Sequence, residues 1–256
     1  MDLKDLSEQW NDFGKIDPLW SIMTWPEKKG GKWKREDFFQ TGVREVETTL
    51  SFLKGLSVDL QNGKALDFGC GVGRLTQALC KNFSEVHGVD IAASMIDLAN
   101  GFNDFPNKCF YHLNKEENLN LFAADSFDFI YSRLTLQHME PRYAKGYIRE
   151  FLRVIKPGGV VVFQEPSRLT VYGAEANHRE TKGMKAKIKL LIPAQLMNLF
   201  RKWRAKITQA PIMEIYGIEK KEMTNFLLEK GAKIINISEF GDSGPEWVSY
   251  RYCMTK

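Results

Sequence analysis

The stretch Ala65-Leu66-Asp67-Phe68-Gly69-Cys70-Gly71-Val72-Gly73-Arg74-Leu75 constrains the fold more than any other part of the chain, because it joins an apolar strand to a helix through glycines at alternate positions. Glycine lets the main chain bend sharply after a buried strand and leaves bare backbone for a ligand where a Cβ would collide. A dinucleotide fingerprint G-x-G-x-x-G would place its third glycine at position 74, where this chain has Arg74. The pattern is instead G-x-G-x-G preceded by the acid Asp67, which disfavours a nicotinamide dinucleotide as the ligand.

Beyond this turn the pattern alternates strand and helix, which predicts a parallel sheet with helices on both faces. Strands are expected at 64–68, 86–90, 108–113, 127–131, 160–163, 233–237 and 247–254. Helices are expected at 75–83, from 94 with Ser94 as cap, from Pro141 until the Lys156-Pro157-Gly158-Gly159 stop, and at 218–230 before Gly231. The stretch before Lys64 holds Trp10, Trp20, Trp25, Trp33, Phe38 and Phe39. It reads as one or two helices that either fold over a ligand, with Thr41-Gly42 bringing backbone close, or only pin helices to the sheet edge.

Four segments carry a resemblance in their order as well as in their residues. They are the glycine turn, Glu85-Val86-His87-Gly88-Val89-Asp90, Ser126-Phe127-Asp128-Phe129-Ile130-Tyr131-Ser132 followed by Leu134-Thr135-Leu136-Gln137-His138-Met139, and Arg153-Val154-Ile155-Lys156-Pro157-Gly158-Gly159-Val160. Together they resemble the class I methyltransferases that depend on S-adenosylmethionine (SAM), in their small-molecule branch. The resemblance implies an α/β, Rossmann-like three-layer sandwich whose seven-stranded sheet is mostly parallel with an antiparallel last strand. With the aromatic-rich start and the break in alternation after Pro166, the chain is expected to divide into an N-terminal helical cover (1–60), a SAM-binding core (61–166), a basic helical insert acting as a lid (167–216) and the end of the core (217–256).

The resemblance also assigns roles. SAM, leaving as S-adenosylhomocysteine (SAH), would lie on Gly69, Cys70, Gly71 and Gly73, with Asp67 holding the loop and the amino group, or else only capping the turn. Asp90, at the end of the second strand, would accept both ribose hydroxyls as a charge-assisted pair. Ile91 and Met95 would flank the adenine or belong to the core, Asn114 or Glu116 would read its amino group, and Ser132 would close the site. His138 follows the fourth strand on the loop that faces the methyl group in related enzymes. It is either a general base or a residue that only bonds backbone. Glu165, Arg168 and Tyr172, past the fifth strand, and Tyr250 and Tyr252, on one face of the last strand, are expected to meet the acceptor.

Bulk properties narrow the partners. Residues 167–216 hold ten Lys or Arg against three acids, while the whole chain carries only +4. Such a block is either a solvated helix face or a surface for an acidic small molecule, RNA or an anionic membrane. The Asn/Asp-Pro-Pro-Tyr tetrapeptide of amino-directed nucleic-acid methyltransferases is absent, which makes RNA the lesser reading, and a non-catalytic SAM-binding module docking through the insert is the alternative to an enzyme. The cysteines Cys70, Cys80, Cys109 and Cys253 lack C-x-x-C spacing, so reduced thiols in a cytoplasm and no metal are expected. No apolar run approaches the roughly 20 residues that a bilayer requires.

Overall fold

A computed structural model of the chain describes residues 1–170, 213–241 and 243–256. Its strands are β1 (Lys64–Phe68), β2 (Glu85–Asp90), β3 (Cys109–Leu113), β4 (Phe127–Ser132), β5 (Ile155–Leu169), β6 (Lys233–Glu239) and β7 (Trp247–Thr255). They form one seven-stranded sheet in the order β3-β2-β1-β4-β5-β7-β6. The pairs from β3 through β5 are parallel, and β7 runs antiparallel to both β5 and β6. The order reverses between β1 and β4, and at such a switch point the carboxyl ends of the strands splay to leave a crevice.

The described helices are α1 (Leu3–Ile16), α2 (Pro18–Ile22), α3 (Arg35–Gly55), α4 (Arg74–Leu79), α5 (Ala93–Gly101), α6 (Pro141–Val154) and α7 (Lys220–Glu229), with 3-10 turns at Pro26–Lys28 and Leu136–His138. Alternation along the strands builds two cores. Leu66, Phe68, Ile130, Val161 and Phe163 face α6 and α7, while Ala65, Phe129, Val160 and Val162 face α3 and α4. A third cluster around Phe13, Trp33, Phe38 and Met95 ties the N-terminal helices to α5.

Several local expectations change. Residues 1–60 form three α-helices rather than one or two. Gly42 brings α3 against α4 instead of meeting a ligand, since a Cβ there would overlap the Arg74 backbone. Ser94 does not cap α5, because the cap position is Ala92 and Ser94 spends its polar atoms on Asn11 of α1. The Lys156–Gly159 stop lies inside β5, where a shift of register against β4 absorbs Pro157 and the left-handed Gly158.

Candidate functional site

A cavity of about 270 Å³ opens at the switch point. Its floor is the glycine turn. Gly69 and Cys70 each donate a backbone N–H to the carbonyl of Val89, at 2.8 and 3.0 Å, which folds the turn over the end of β2. Gly69 and Gly71 have φ of +79° and +52°, and a Cβ on either would run into the side chain of Thr135 or Ile22. Both glycines and Cys70 line the cavity. The Cys70 thiol, whose pKa burial pushes well above its usual value, is a neutral wall group rather than a nucleophile.

Asp90 stands beside this floor. One carboxylate oxygen accepts the N–H of Gly71 at 2.8 Å and the other that of Ala92 at 2.9 Å. A carboxylate offers about four lone-pair sites, so each oxygen retains one for a hydroxyl, and the two together match a vicinal diol. Burial raises its pKa, while the bonds from Ala92 and Gly71 pull the other way. Ile91 and Asn114 complete this end of the wall. The Asn114 amide donates to the carbonyl of Asn118 at 2.8 Å, which fixes the turn after β3.

Other expected cofactor contacts lie elsewhere. Met95 is fully buried among Phe13, Phe38 and Val72 and does not reach the cavity, so it is core. The Glu116 side chain is exposed and outside the wall; its backbone carbonyl accepts from Tyr147 and Asn114, and its N–H donates to the Asn114 side chain. Ser132 donates to the carbonyl of Phe68 at 3.1 Å and clamps β4 to β1. Gly73, at φ +86°, caps α4 and leaves room for the Tyr111 hydroxyl. Asp67 is buried beneath the turn, accepts from Thr76 Oγ1 at 2.7 Å and has no partner for Oδ1 among the described residues. Burial moves its pKa up to about 6 against the pull of Thr76 and Arg74.

Arg74 explains why the third fingerprint glycine is missing. Its side chain is buried in an ion pair with Glu45 of α3 at 3.1 Å, which Arg133 also joins, and Tyr131 donates to the same carboxylate at 2.9 Å. Arg74 and Arg133 both line the cavity.

The far end of the cavity is built after β4. Leu134 takes φ of +56°, a conformation uncommon for a bulky residue, and the turn continues through Thr135 into the 3-10 turn that carries His138. His138 lines the cavity beside Trp10, with ring centroids 5.2 Å apart. Its Nδ1 lies 2.7 Å from the carbonyl oxygen of Glu214, which can only accept, so Nδ1 carries the proton. Its Nε2 then holds the lone pair, 3.2 Å from the Gln137 amide nitrogen. Burial lowers its pKa to about 4, although the Glu214 carbonyl favours the charged form.

The expected acceptor residues are not brought to this wall. Glu165 is buried, with one oxygen unpartnered among the described residues and a pKa well above the carboxylate range because of desolvation. Tyr252 is fully buried and stacked on Phe163 at 4.9 Å, Tyr250 lies under the Lys220 ammonium at 4.6 Å, and Arg168 is exposed. The reason is the length of β5. It continues to Leu169 alongside β7, so Glu165 and Arg168 sit within a ladder and not at a strand end. Tyr172 and the body of the basic insert lie outside the described residues; the insert's ends are the β5 segment 167–169 and residues 213–216.

Of the N-terminal aromatics expected to cover a ligand or pin helices, Trp10 reaches the wall, and the structure adds residues that the sequence does not single out. Leu6 and Trp10 of α1, with Ser21, Ile22 and Thr24, form a roof, and Met213, Ile215 and Ser243 close the His138 end. The roof is held by the Ser7 hydroxyl, which donates to the carbonyl of Ile91 at 2.9 Å, and by Ser94, whose N–H and hydroxyl bond Asn11 at 3.0 and 2.9 Å. Tryptophan enrichment marked the segment, but nothing local marked which side chains point inward. Among the described residues there is no cluster of metal-ligating side chains and no helix long and apolar enough to cross a membrane.

Comparison with known proteins agrees with this geometry. Residues 66–163 match the methyltransferase domain family. The chain is 27% identical over 193 residues to a ubiquinone biosynthesis O-methyltransferase of Hydrogenovibrio crunogenus, covering 70% of this chain and 79% of that protein. It is 32% identical over 137 residues to a phosphoethanolamine N-methyltransferase of Triticum aestivum, covering 52% of this chain but only 26% of that longer protein. In fold it is similar to the magnesium protoporphyrin IX methyltransferase of Synechocystis PCC 6803 with bound SAH, with a TM-score of 0.62 at 16% identity and full coverage of both chains. The matched segment runs from β1 into β5 and contains the glycine turn, Asp90 and His138, so this part of the chain carries a methyltransferase domain.

Proposed function

We propose that this enzyme transfers a methyl group to an oxygen or nitrogen atom of a small acceptor bound at the His138 end of the cavity. The observation that carries the reading is that one enclosed space joins a diol-accepting carboxylate, Asp90, to a neutral histidine with a lone pair at Nε2. The residues present fit SAM. Gly69 and Gly71 form a cradle that a Cβ would fill, Asp90 keeps two acceptor positions, and Asp67 keeps an unpartnered oxygen beneath the turn for an ammonium group, directly or through water.

When bound, the cofactor supplies a methyl already activated on a sulfonium sulfur, so the protein's work is placement and exclusion of water. The roof of α1 and α2 excludes water, and the floor fixes the position of the donor. His138 is the proposed proton acceptor or orienting group. With a pKa of about 4 it is a weak base at neutral pH, yet an attacking hydroxyl becomes strongly acidic as it gains a methyl, and a weak base then suffices. An amine acceptor needs His138 only for orientation.

An acidic acceptor is the chemistry we infer for this wall, because the cationic residues Arg74 and Arg133 both line it. The four free, buried cysteines accord with a reducing compartment, and we place the reaction in the cytoplasm. The test is to incubate the enzyme with methyl-labelled SAM and metabolite fractions separated by anion exchange. Label should enter a small molecule in a retained fraction as SAH is released. Release of SAH with label only in protein or RNA would overturn the small-molecule reading.

A further inference from the structure

Four buried side chains form one row at the His138 end of the cavity, and only His138 belonged to the expected site. The Gln164 amide nitrogen on β5 lies 2.9 Å from Ser243 Oγ, in the turn between β6 and β7. Ser243 Oγ lies 2.9 Å from Gln137 Oε1, and the Gln137 amide nitrogen reaches His138 Nε2. The direction of every bond follows from the Glu214 carbonyl at one end. Because it can only accept, Nδ1 of His138 donates, Nε2 accepts, Gln137 turns its N–H to the ring and its oxygen to Ser243, and Ser243 donates its only hydrogen to Gln137. Gln164 aims that hydroxyl by donating to its oxygen, and its own Oε1 has no partner among the described residues. Gln137, His138 and Ser243 line the cavity, and Gln164 is buried behind them.

We propose that Ser243 is a positioning residue which, by holding Gln137 against His138, keeps a hydrogen-bond-accepting nitrogen at the acceptor end of the cavity, so that the enzyme methylates an atom arriving as O–H or N–H and not as a carboxylate. This rests on the cavity being the site of methyl transfer. An arriving O–H displaces the Gln137 N–H from the Nε2 lone pair, and Ser243 keeps Gln137 within reach to return. In the oxygen case the acceptor O–H bond breaks, its electron pair stays on oxygen, and the proton forms a bond to Nε2. A carboxylate would face the same lone pair and be repelled. Protonating His138 before the acceptor arrives would set Nε2–H against the Gln137 N–H, which the row opposes.

Charged groups on the neighbouring elements are engaged elsewhere. The Glu214 carboxylate accepts from Tyr216, Glu140 accepts from Arg142, Asp90 accepts from Gly71 and Ala92, and Arg74 and Arg133 pair with Glu45; α1 presents the Trp10 ring.

The experiment follows the ring nitrogens of His138 by 15N–1H correlation across a pH titration of the SAH-bound protein, with the signal assigned by its loss in His138→Ala. The wild type should hold the Nδ1–H neutral form. Ser243→Ala frees Gln137 to turn, so His138 should take up its proton about 0.7 pH unit higher, equivalent to one ordinary hydrogen bond of roughly 1 kcal/mol. Ser243→Thr should restore the wild-type value, and Gln164→Met, which leaves the hydroxyl unaimed, should shift it in the same direction as Ser243→Ala. SAH affinity, read by calorimetry, should stay within about twofold throughout. An unshifted His138 in both Ser243→Ala and Gln164→Met while SAH still binds, or a methyl ester as the labelled product, overturns the proposal. Failure of the wild type to bind SAH would overturn the reading of the cavity beneath it.

Discussion

Replacing Asp90 with alanine tests the cofactor site where its geometry is most specific. Its two oxygens already accept from Gly71 and Ala92 at 2.8 and 2.9 Å, so the residue both shapes the floor and offers the remaining lone pairs to a ribose. A hydrogen bond to a charged group is worth about 1.5 to 3 kcal/mol. Removing the carboxylate should weaken SAH and SAM by on the order of that amount, roughly 10- to 150-fold at 1.4 kcal/mol per decade. The same contact gives a pH signature. Burial raises the carboxyl pKa in the free protein, and two ribose hydroxyls donating to the carboxylate would lower it in the complex. SAH binding should therefore release a proton and weaken as pH falls through the raised value, whereas the alanine variant should lose that part of the pH dependence. Isothermal calorimetry in buffers of different ionisation enthalpy reads affinity and proton release together. Unchanged SAH affinity in a folded Asp90→Ala protein would refute the assignment of the ribose to this residue.

Other substitutions probe the floor, the roof and the far wall. Asp67 has a folded pKa of about 6 against 3.8; its contribution to stability is present below pH 3.8 and lost as pH rises through 6. Asp67→Asn, which still accepts from Thr76, should then gain on the order of 2 kcal/mol in urea unfolding at pH 8 and nothing at pH 4. Gly73→Ala places a Cβ at φ +86° against Tyr111, and the thermal midpoint should fall by an amount matching roughly 1 to 3 kcal/mol. Gly14→Ala forces α1 away from Ser94; proteolysis of the first 30 residues should accelerate and SAH should dissociate faster, and unchanged rates would remove α1 from the roof. His138→Ala should lower turnover about 10²-fold, the small end of general-base contributions, with SAH affinity unchanged.

How much of this was legible in the sequence depends on the range of the interactions involved. The floor was readable because it is local: a strand, three glycines and a helix start lie within eleven residues, and Asp90 ends the next strand. Met95 and Ile91 show the limit of such reading. Both are apolar and follow Asp90 closely, and periodicity does not say which turns to the cavity. The packing of α1 decides it, by burying Met95 under Phe13 and Phe38 while Ser7 holds the carbonyl of Ile91 at the rim. In the sequence Arg74 only breaks a fingerprint, whereas its structural role comes from Glu45, 29 positions away in α3.

Glu165 and Arg168 stay away from the cavity wall for a related reason. In a parallel sheet, functional side chains leave the carboxyl ends of strands, so Glu165 and Arg168 followed from taking β5 to end soon after Phe163. The end of a strand is set by its neighbour as well as by its own residues, however, and β7 continues the ladder to the pair Leu169 and Trp247. That extension turns Glu165 into a buried acid, and in the proposed function the acceptor meets the turn after β4 instead. There Gln137, beside His138, meets Ser243, more than a hundred positions later, within a turn whose sequence announced only a change of direction. If His138 meets the acceptor as proposed, the face that it presents depends on the turn after β4, the segment at Glu214 and the turn before β7 being held together, and a change in any one of them would alter it.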